Sequence, residues 1–153
     1  MKKITYVVAG VIGLAVLGFA YYAISPLFRH VRLDEAAPVS SRGASQGGEA
    51  TGAPITGTTG HPASGSARIV ESGGKRYLRY ENLQTINGPD LYVYLAKDVD
   101  AKEYISLGVI RATEGNVNYD IPAEVDLSTY RYALTWCKQF SVLFNYADLG
   151  GTR

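Results

Sequence analysis

Cys137 is the residue whose chemistry raises the first question about this sequence, because it is the only cysteine in 153 residues. One cysteine excludes an intramolecular disulfide framework and a cysteine-rich zinc site. The sequence has only two histidines, His30 and His61, so a multi-histidine metal centre is not expected. It also lacks the Cys-x-x-Cys-His run that covalent c-type haem requires. We therefore predict no metal site built from several of these side chains.

A single thiol leaves several kinds of redox chemistry open. It can form a sulfenic acid, a mixed or intermolecular disulfide, or a thiolate ligand to haem or another exogenous metal centre. A reactive thiol needs access and a lowered pKa, whereas a free cysteine is very often a small, buried and inert side chain. Two interpretations of Cys137 therefore stay open, a redox or cofactor-binding residue and a packing residue.

Three other features have a functional and a structural interpretation. His61 is either an axial ligand or part of a turn before Pro62. Asp90 either contacts a ligand or bonds to the backbone of the turn at 87–90. The twelve tyrosines either form a carbohydrate-binding platform or pack in the core and at its rim.

The elements that position these side chains begin with an uncharged stretch from Ile4 to Ile24. As a helix it would be about 31 Å long, close to the thickness of the hydrocarbon core of a bilayer. Lys2 and Lys3 precede it, and short N-terminal tails with lysines normally stay inside. We predict a cytoplasmic tail at 1–3, a transmembrane anchor at 4–24 and a domain outside the membrane.

The alternative for this stretch is a cleaved signal peptide. Gly18-Phe19-Ala20 has the small-x-small pattern of a cleavage site, although the apolar run is longer than a usual signal-peptide core. Cleavage would make the protein secreted, whereas retention makes it a single-pass membrane protein. Both alternatives place the remaining chain outside the cytoplasm.

Residues 25–54 are predicted to be a juxtamembrane segment followed by a disordered linker. From Pro38 to Pro54 there is no aromatic residue, and Val39 is the only large aliphatic one. Such a composition does not bury enough apolar surface to offset the entropy of ordering the chain. We therefore place the folded domain at 55–153 and expect it to need no upstream sequence.

Residues 55–153 have the pattern of antiparallel β structure. Short runs rich in β-branched and aromatic residues alternate with turn signals. The eight runs are 55–60, 66–71, 76–81, 91–96, 104–109, 116–121, 130–136 and 141–146. We predict an all-β domain, an antiparallel sandwich or barrel of about eight strands.

Alternation within the seventh run predicts where the cysteine lies. Tyr130, Tyr132, Leu134 and Trp136, here called the aromatic row, share one face of that strand. If this row occupies the core, Cys137 lies on the opposite, less apolar face, where solvent or a partner reaches it. The argument assumes that no β-bulge precedes Cys137.

Five pieces of the sequence, in this order, resemble one known family. They are HPASG at 61–65, NGPDLYVYL at 87–95, LG at 107–108, NYDIP at 118–122 and WCKQFSVLF at 136–144. Together they resemble the DM13 domain across essentially the whole predicted domain. The resemblance implies an extracellular module linked to electron transfer or redox chemistry. It also implies that the cysteine of the family's Trp-Cys-Lys context corresponds to Cys137.

These observations predict a membrane-tethered extracytoplasmic DM13-like module. It would take part in electron transfer or redox modification with a partner protein, through Cys137 or through a bound haem or other metal centre. The alternative is a non-catalytic cell-surface β-sandwich that binds a protein or glycan. Both interpretations describe a redox or binding module more than a stand-alone enzyme. The net charge of +1 argues against a nucleic-acid partner, because such proteins usually carry a clear basic excess.

Overall fold

The computed structural model describes residues 2–25, 30–38 and 52–151. Most of the predicted linker, residues 39–51, lies outside the described residues. The helix α1 spans Lys2–Ile24, as the uncharged run predicts. Its stretch Tyr6–Ile24 is long and apolar enough to cross a membrane, and none of that stretch is buried inside the protein. Such a helix is compatible with a membrane anchor or a signal sequence.

The described part of the chain after α1 forms ten β-strands and a short 3-10 helix at Leu149–Gly151. The strands are β1 (Arg32–Asp34), β2 (Ala53–Pro54), β3 (Thr56–Gly57), β4 (Ala63–Ser72), β5 (Lys75–Thr85), β6 (Leu91–Ala96), β7 (Tyr104–Val109), β8 (Glu114–Ile121), β9 (Tyr132–Cys137) and β10 (Val142–Asp148). Each of the eight predicted runs overlaps one of the strands β3 to β10. The all-β prediction is confirmed.

The strands form two five-stranded sheets. The first sheet has the order β1-β8-β5-β4-β2, and the second has the order β3-β10-β9-β6-β7. Every pairing is antiparallel except that of β1 with β8, which is parallel. The sheets face each other across one apolar core, with Leu78 and Val117 from the first sheet and Val93 and Leu95 from the second. The domain is therefore a β-sandwich.

The strand β1 extends the folded unit upstream of the boundary predicted at residue 55. The backbone N–H of Glu35 donates to the Asn116 carbonyl at 2.8 Å, and that of Thr113 donates to the Val31 carbonyl at 2.8 Å. Leu33 packs against the main core. Residues 30–38 carry little apolar surface, but they complete the hydrogen bonds of the β8 edge, which sequence composition does not reveal.

The prediction that the aromatic row occupies the core is wrong for its three members within β9, Tyr132, Leu134 and Trp136, which belong to a separate cluster. Tyr130, which precedes β9, does pack against the main core. Cross-strand pairs share a face, and β6 pairs with β9 so that Leu91 lies opposite Cys137 and Val93 lies opposite Thr135. Because Val93 is completely buried between the sheets, Thr135 and Cys137 face the same interior. The members of the row within β9 therefore lie towards the other side of the second sheet.

Candidate functional site

Cys137 is completely buried at the end of β9. Its side chain belongs to a small apolar cluster with Leu91 and Phe144, against which Ile86 and Ile110 also pack. We call these five residues the cysteine cluster. The prediction that solvent reaches the thiol is therefore wrong. The alternation argument separated Cys137 correctly from the aromatic row but assigned the wrong face to the core.

A β-bulge in β10 forms one wall of the cysteine cluster. Leu143 pairs with Trp136 and Asn145 pairs with Thr135, so Phe144 is an extra residue with no partner in β9. A bulge turns two successive side chains towards the same face. Phe144 and Asn145 are accordingly both buried, and Phe144 reaches Cys137.

The turn at 58–61 covers the bulge from outside. The backbone N–H of Thr58 donates to the Phe144 carbonyl at 3.0 Å, and its hydroxyl donates to the Leu143 carbonyl at 2.7 Å. The Thr58 hydroxyl also lies 3.1 Å from His61 Nδ1, and the His61 ring stacks on Phe144 with 4.0 Å between centroids. His61 thus lies in a turn. Phe144 contacts both His61 and the other members of the cysteine cluster.

The packing around Cys137 does not fit a haem or a metal ion. A thiolate ligand needs space for the metal ion, and for that ion's other ligands, beside its sulfur, whereas this sulfur is enclosed by aliphatic and aromatic side chains. Within residues 2–25, 30–38 and 52–151, no three His, Cys, Asp or Glu side chains form a group suited to a metal. A prosthetic group at Cys137 would require the cysteine cluster to open.

The half-buried Asp90 acts through its backbone. Its carbonyl accepts a hydrogen bond from the Lys138 N–H at 2.9 Å, so the turn before β6 holds the residue that follows Cys137. The Lys138 side chain points to the opposite side of the sheet, where its ammonium lies 5.3 Å from the centre of the Tyr92 ring. The Lys138 ammonium and the Cys137 thiol therefore lie on opposite sides of the sheet.

Polar side chains lie in the sandwich interior beside the cysteine cluster. Asn145 Nδ2 donates to the Thr85 hydroxyl at 3.0 Å, a buried hydrogen bond between the two sheets. The hydroxyls of Tyr80 and Thr135 and the Asn145 Oδ1 are buried without a hydrogen bond of normal geometry among the described residues. Burial raises the pKa of Tyr80 well above its usual range; the Tyr119 phenol adds to this, and the Thr135 hydroxyl opposes it.

The outer side of the second sheet carries the largest group of aromatic side chains. A cluster separate from the main core contains Tyr92, Tyr94, Tyr132, Trp136 and Tyr146. We call this surface the outer aromatic face. Tyr94 is buried, and the other four side chains are half-buried. Val99 and Ala101, in the loop between β6 and β7, pack on the same cluster.

Basic groups surround the outer aromatic face. Besides Lys138 over Tyr92, the Arg131 guanidinium lies 5.1 Å from the centre of the Tyr132 ring. Tyr94 stacks on Tyr104 with 4.1 Å between ring centroids. Burial, followed by the neighbouring Tyr104 phenol, raises the pKa of Tyr94 to about 12, so the Tyr94 phenol is neutral at physiological pH. The face is therefore aromatic and hydroxylated, with cations at its margin.

Comparison with known proteins identifies the family. The family described as electron transfer DM13 matches residues 56–149, which is more than half of the chain. The chain belongs to the DM13 family. No curated protein and no solved structure matches it. The DM13 match begins in β3 and ends at the 3-10 helix, so it covers the second sheet and the cysteine cluster but not β1 or β2.

Sequence reasoning missed Phe144 and Asn145 as residues of the interior around Cys137. The signal was the break in alternation in the last run, where Leu143 and Phe144 are followed directly by a polar residue. An unbroken run of three apolar residues, Val142–Phe144, before an asparagine is compatible with a bulge that turns both Phe144 and Asn145 inward. The partner of Asn145, Thr85, lies sixty residues away, and no local pattern connects the two.

Proposed function

We propose that this protein is a DM13 module held at a membrane, with its sandwich outside the cytoplasm, where it takes part in electron transfer or redox modification. The observation that carries the redox role is the DM13 match across residues 56–149. The apolar helix α1 supports the membrane anchor, and the two lysines at its start favour an N-terminus inside. Protease added to intact cells is then expected to remove the sandwich from the membrane.

Cys137 is the residue to which we assign the redox step. It is the only sulfhydryl of the chain, and two-electron cycling within one molecule would need a second one. Because the sulfur lies behind Phe144 and the turn of His61, a soluble thiol or peroxide meets apolar side chains first. The proposed reaction therefore requires a redox partner protein whose docking displaces the His61–Phe144 stack.

The test is the oxidation state of Cys137 in the full-length protein in its own membrane. Free thiols are blocked in denaturant, oxidised ones are then reduced and labelled, and mass spectrometry gives the reversibly oxidised fraction before and after the cells are exposed to an oxidant. We expect this fraction to rise with the oxidant in the wild type. A parallel redox titration of the isolated membrane, which retains the partner protein, is read by the same labelling and is expected to show a signal that Cys137→Ala removes.

A matched variant separates loss of the redox reaction from loss of folding stability. Leu78→Ala leaves a cavity in the main core, where Leu78 is completely buried, without touching the cysteine cluster. It is expected to retain the redox signal that Cys137→Ala loses. A thiol that stays fully reduced under every condition, together with no redox signal from the isolated membrane, would overturn the assignment to Cys137.

The second candidate function is binding of a protein or glycan without chemistry. The observation that favours it is the pair Tyr132 and Tyr146, which lie in edge-to-face contact with 6.5 Å between centroids on the outer aromatic face. Aromatic rings that are half exposed offer rigid area with a polar hydroxyl at the edge. Binding that depends on Tyr132 and is unchanged in Cys137→Ala would support this candidate.

A further inference from the structure

The turn between β9 and β10 exposes apolar side chains for which the sandwich provides no cover. Phe140 is 50% exposed and Val142 is 36% exposed. Lys138 and Gln139 precede them, and both are exposed as well. We call residues 138–142 the hairpin tip. Exposed apolar side chains grouped on one turn indicate a contact surface more than a packing defect.

The hairpin tip lies against the end of α1. The Tyr22 hydroxyl is 3.5 Å from Gln139 Oε1, although the two residues are more than one hundred positions apart in the sequence. The apolar stretch Tyr6–Ile24 is about 28 Å long as a helix, which matches the hydrocarbon core of a bilayer. If α1 spans the membrane, Tyr22 lies at the headgroup level, where tyrosines of membrane helices concentrate. Gln139 then lies at that level too.

The chain between α1 and the sandwich is too short for the sandwich to lie far from the end of α1. α1 ends at Ile24 and β1 begins at Arg32. The residues 25–31 between them extend at most about 25 Å when fully stretched. Because β1 is hydrogen-bonded to the β8 edge, the whole sandwich is confined to the neighbourhood of the membrane surface.

The side chains at this end of the second sheet have the composition of an interfacial belt. Trp136 pairs across the sheet with Tyr92 on one side and with Leu143 on the other, so an aromatic and aliphatic strip continues from the hairpin tip. Tryptophan and tyrosine prefer the level of the lipid headgroups. The Lys138 stem lies along this strip with its ammonium over Tyr92, and such a cation can extend to lipid phosphates.

We infer that the hairpin tip and the adjoining strip of Tyr92 and Trp136 form a second membrane contact, with Phe140 and Val142 inserted among the lipid headgroups. The inference rests on the proposed anchoring of α1. It assigns this end of the outer aromatic face to a lipid surface and leaves the end of Tyr132 and Tyr146 free. The contact would fix the orientation of the sandwich and direct the same side of the module to every membrane partner.

Trp136 reports on this contact directly because it is the only tryptophan of the chain. The full-length protein is reconstituted in phosphatidylcholine vesicles, with acyl chains brominated close to the headgroup in one sample and unbrominated in the other. We expect the brominated lipid to quench Trp136 emission by half or more, and aqueous iodide to quench it weakly. Anionic lipid is expected to strengthen the lipid quenching through Lys138.

A double variant, Phe140→Ser with Val142→Thr, tests the hairpin tip without disturbing the core, because both side chains are exposed. It is expected to lose most of the lipid quenching and to gain iodide quenching. The matched control is Tyr104→Ser, which removes a 44% exposed aromatic ring from β7 at the opposite end of the sheet. This control is expected to be quenched by lipid as strongly as the wild type.

The outcomes separate this inference from the proposed function. If the wild-type protein stays in the vesicles after alkaline extraction but iodide quenches Trp136 and brominated lipid does not, the second contact is overturned and the anchor stands. Iodide protection that appears only on addition of a glycan or a protein would likewise overturn it in favour of a soluble ligand. Release from the vesicles by alkaline extraction would overturn the anchor and this inference together, while the redox measurement on Cys137 would be unaffected.

Discussion

The His61 imidazole lies over the Phe144 ring with 4.0 Å between centroids and 29° between planes. Phe144 is 5% exposed, and its other neighbours include Cys137 and Leu91. The stack therefore closes the cysteine cluster on the side of the 58–61 turn. We expect access to the thiol to depend on this pair, since the other described members of the cluster are the buried Leu91 and the half-buried Ile86 and Ile110.

Removal of the Phe144 ring is expected to expose the thiol. Phe144→Ala should lower the free energy of unfolding by about 3–5 kcal/mol, because it empties a buried aromatic position. The native protein should then react with a small aromatic disulfide reagent about tenfold faster or more, since access limits the reaction of a buried thiol. The measurement is the rate of reagent release under native conditions, with the unfolding free energy taken from denaturant titration.

Two variants separate local access from loss of stability. Phe140→Ala removes an exposed phenylalanine from the same hairpin and should leave the rate unchanged. Leu78→Ala destabilises the main core and should raise the rate only as far as global unfolding does. A wild-type thiol that already reacts as fast as a free cysteine would contradict the buried position of Cys137.

The hydrogen bond between Thr85 and Asn145 is expected to stabilise the pairing of the two sheets. Asn145→Ala should lower the free energy of unfolding by about 1–3 kcal/mol, because Asn145 is buried and its loss leaves the Thr85 hydroxyl in the interior without this partner. Thr85→Val should cost a similar amount. In a double-mutant cycle the two changes should be non-additive by about 0.5–1.5 kcal/mol. Strict additivity would show that the 3.0 Å contact contributes nothing.

The parallel pairing of β1 is expected to fail when Gly115 acquires a side chain. A Cβ at Gly115, where φ is +101°, would overlap the Leu33 carbonyl oxygen and lie 2.8 Å from Asp34 Oδ1. Gly115→Ala should therefore release β1 and remove hydrogen-exchange protection from the Glu35 amide, which donates to the Asn116 carbonyl. Hydrogen exchange followed by mass spectrometry measures this.

Gly108→Ala is the matched control for backbone strain. Gly108 has a similar φ of +110°, but a Cβ there would meet no atom within 4 Å. Gly108→Ala should lower the free energy of unfolding by about 1–2 kcal/mol, because alanine is strained in the left-handed conformation. It should leave the Glu35 amide protected from hydrogen exchange. Equal loss of Glu35 protection in both variants would show that strain, and not the contact with Leu33, releases the strand.

The carboxylate of Glu81 is expected to make stability depend on pH. Hydrogen bonds from Arg68, and then from Arg79, hold the pKa of Glu81 below its ordinary value, although partial burial opposes them. A lowered pKa in the folded state stabilises the protein above the unfolded pKa of about 4.5, and this contribution is lost as the pH falls through the folded value. Glu81→Gln should cost about 1 kcal/mol at neutral pH and progressively less in acid.

The comparison for Glu81 is Glu103, whose ion pair with Lys97 is solvent-exposed. Glu103→Gln should change the unfolding free energy by less than about 0.5 kcal/mol, because exposed ion pairs contribute little. Denaturant titrations between neutral and acidic pH measure both variants. A Glu81→Gln effect that is the same at every pH would contradict a role for the charged carboxylate.

Local patterns determined the strands of this protein. The bounds predicted for β6 and β7, Leu91–Ala96 and Tyr104–Val109, are those of the structure. Alternation, β-branched residues and turn signals act within a few residues of each other, so they are visible in the sequence. The uncharged N-terminal run likewise determined α1, because helix length and hydropathy are local properties.

Only the tertiary structure decided which face of β9 is inside. Alternation separated the aromatic row from Cys137, but either set has enough apolar area to face a core. The choice was made by pairing with β6, where Val93 lies opposite Thr135, and by the facing sheet, whose buried Tyr80 takes up space between the sheets. Cys137 therefore lies between the sheets, whereas Tyr132, Leu134 and Trp136 pack in the cluster on the other side of the second sheet.

The composition of residues 30–38 determined only that this segment has little apolar surface to bury. Its order comes from Arg32–Asp34 completing the edge of β8, a strand that begins at residue 114, far along the chain. Hydrogen bonds between distant backbone groups leave no pattern in either segment, because every residue except proline offers the same donor and acceptor. The bulge at Phe144 depends in the same way on the distant Thr58, whose N–H binds its carbonyl. The sequence alone thus determined the elements and their family, whereas long-range backbone pairing decided the burial of Cys137 and the attachment of β1.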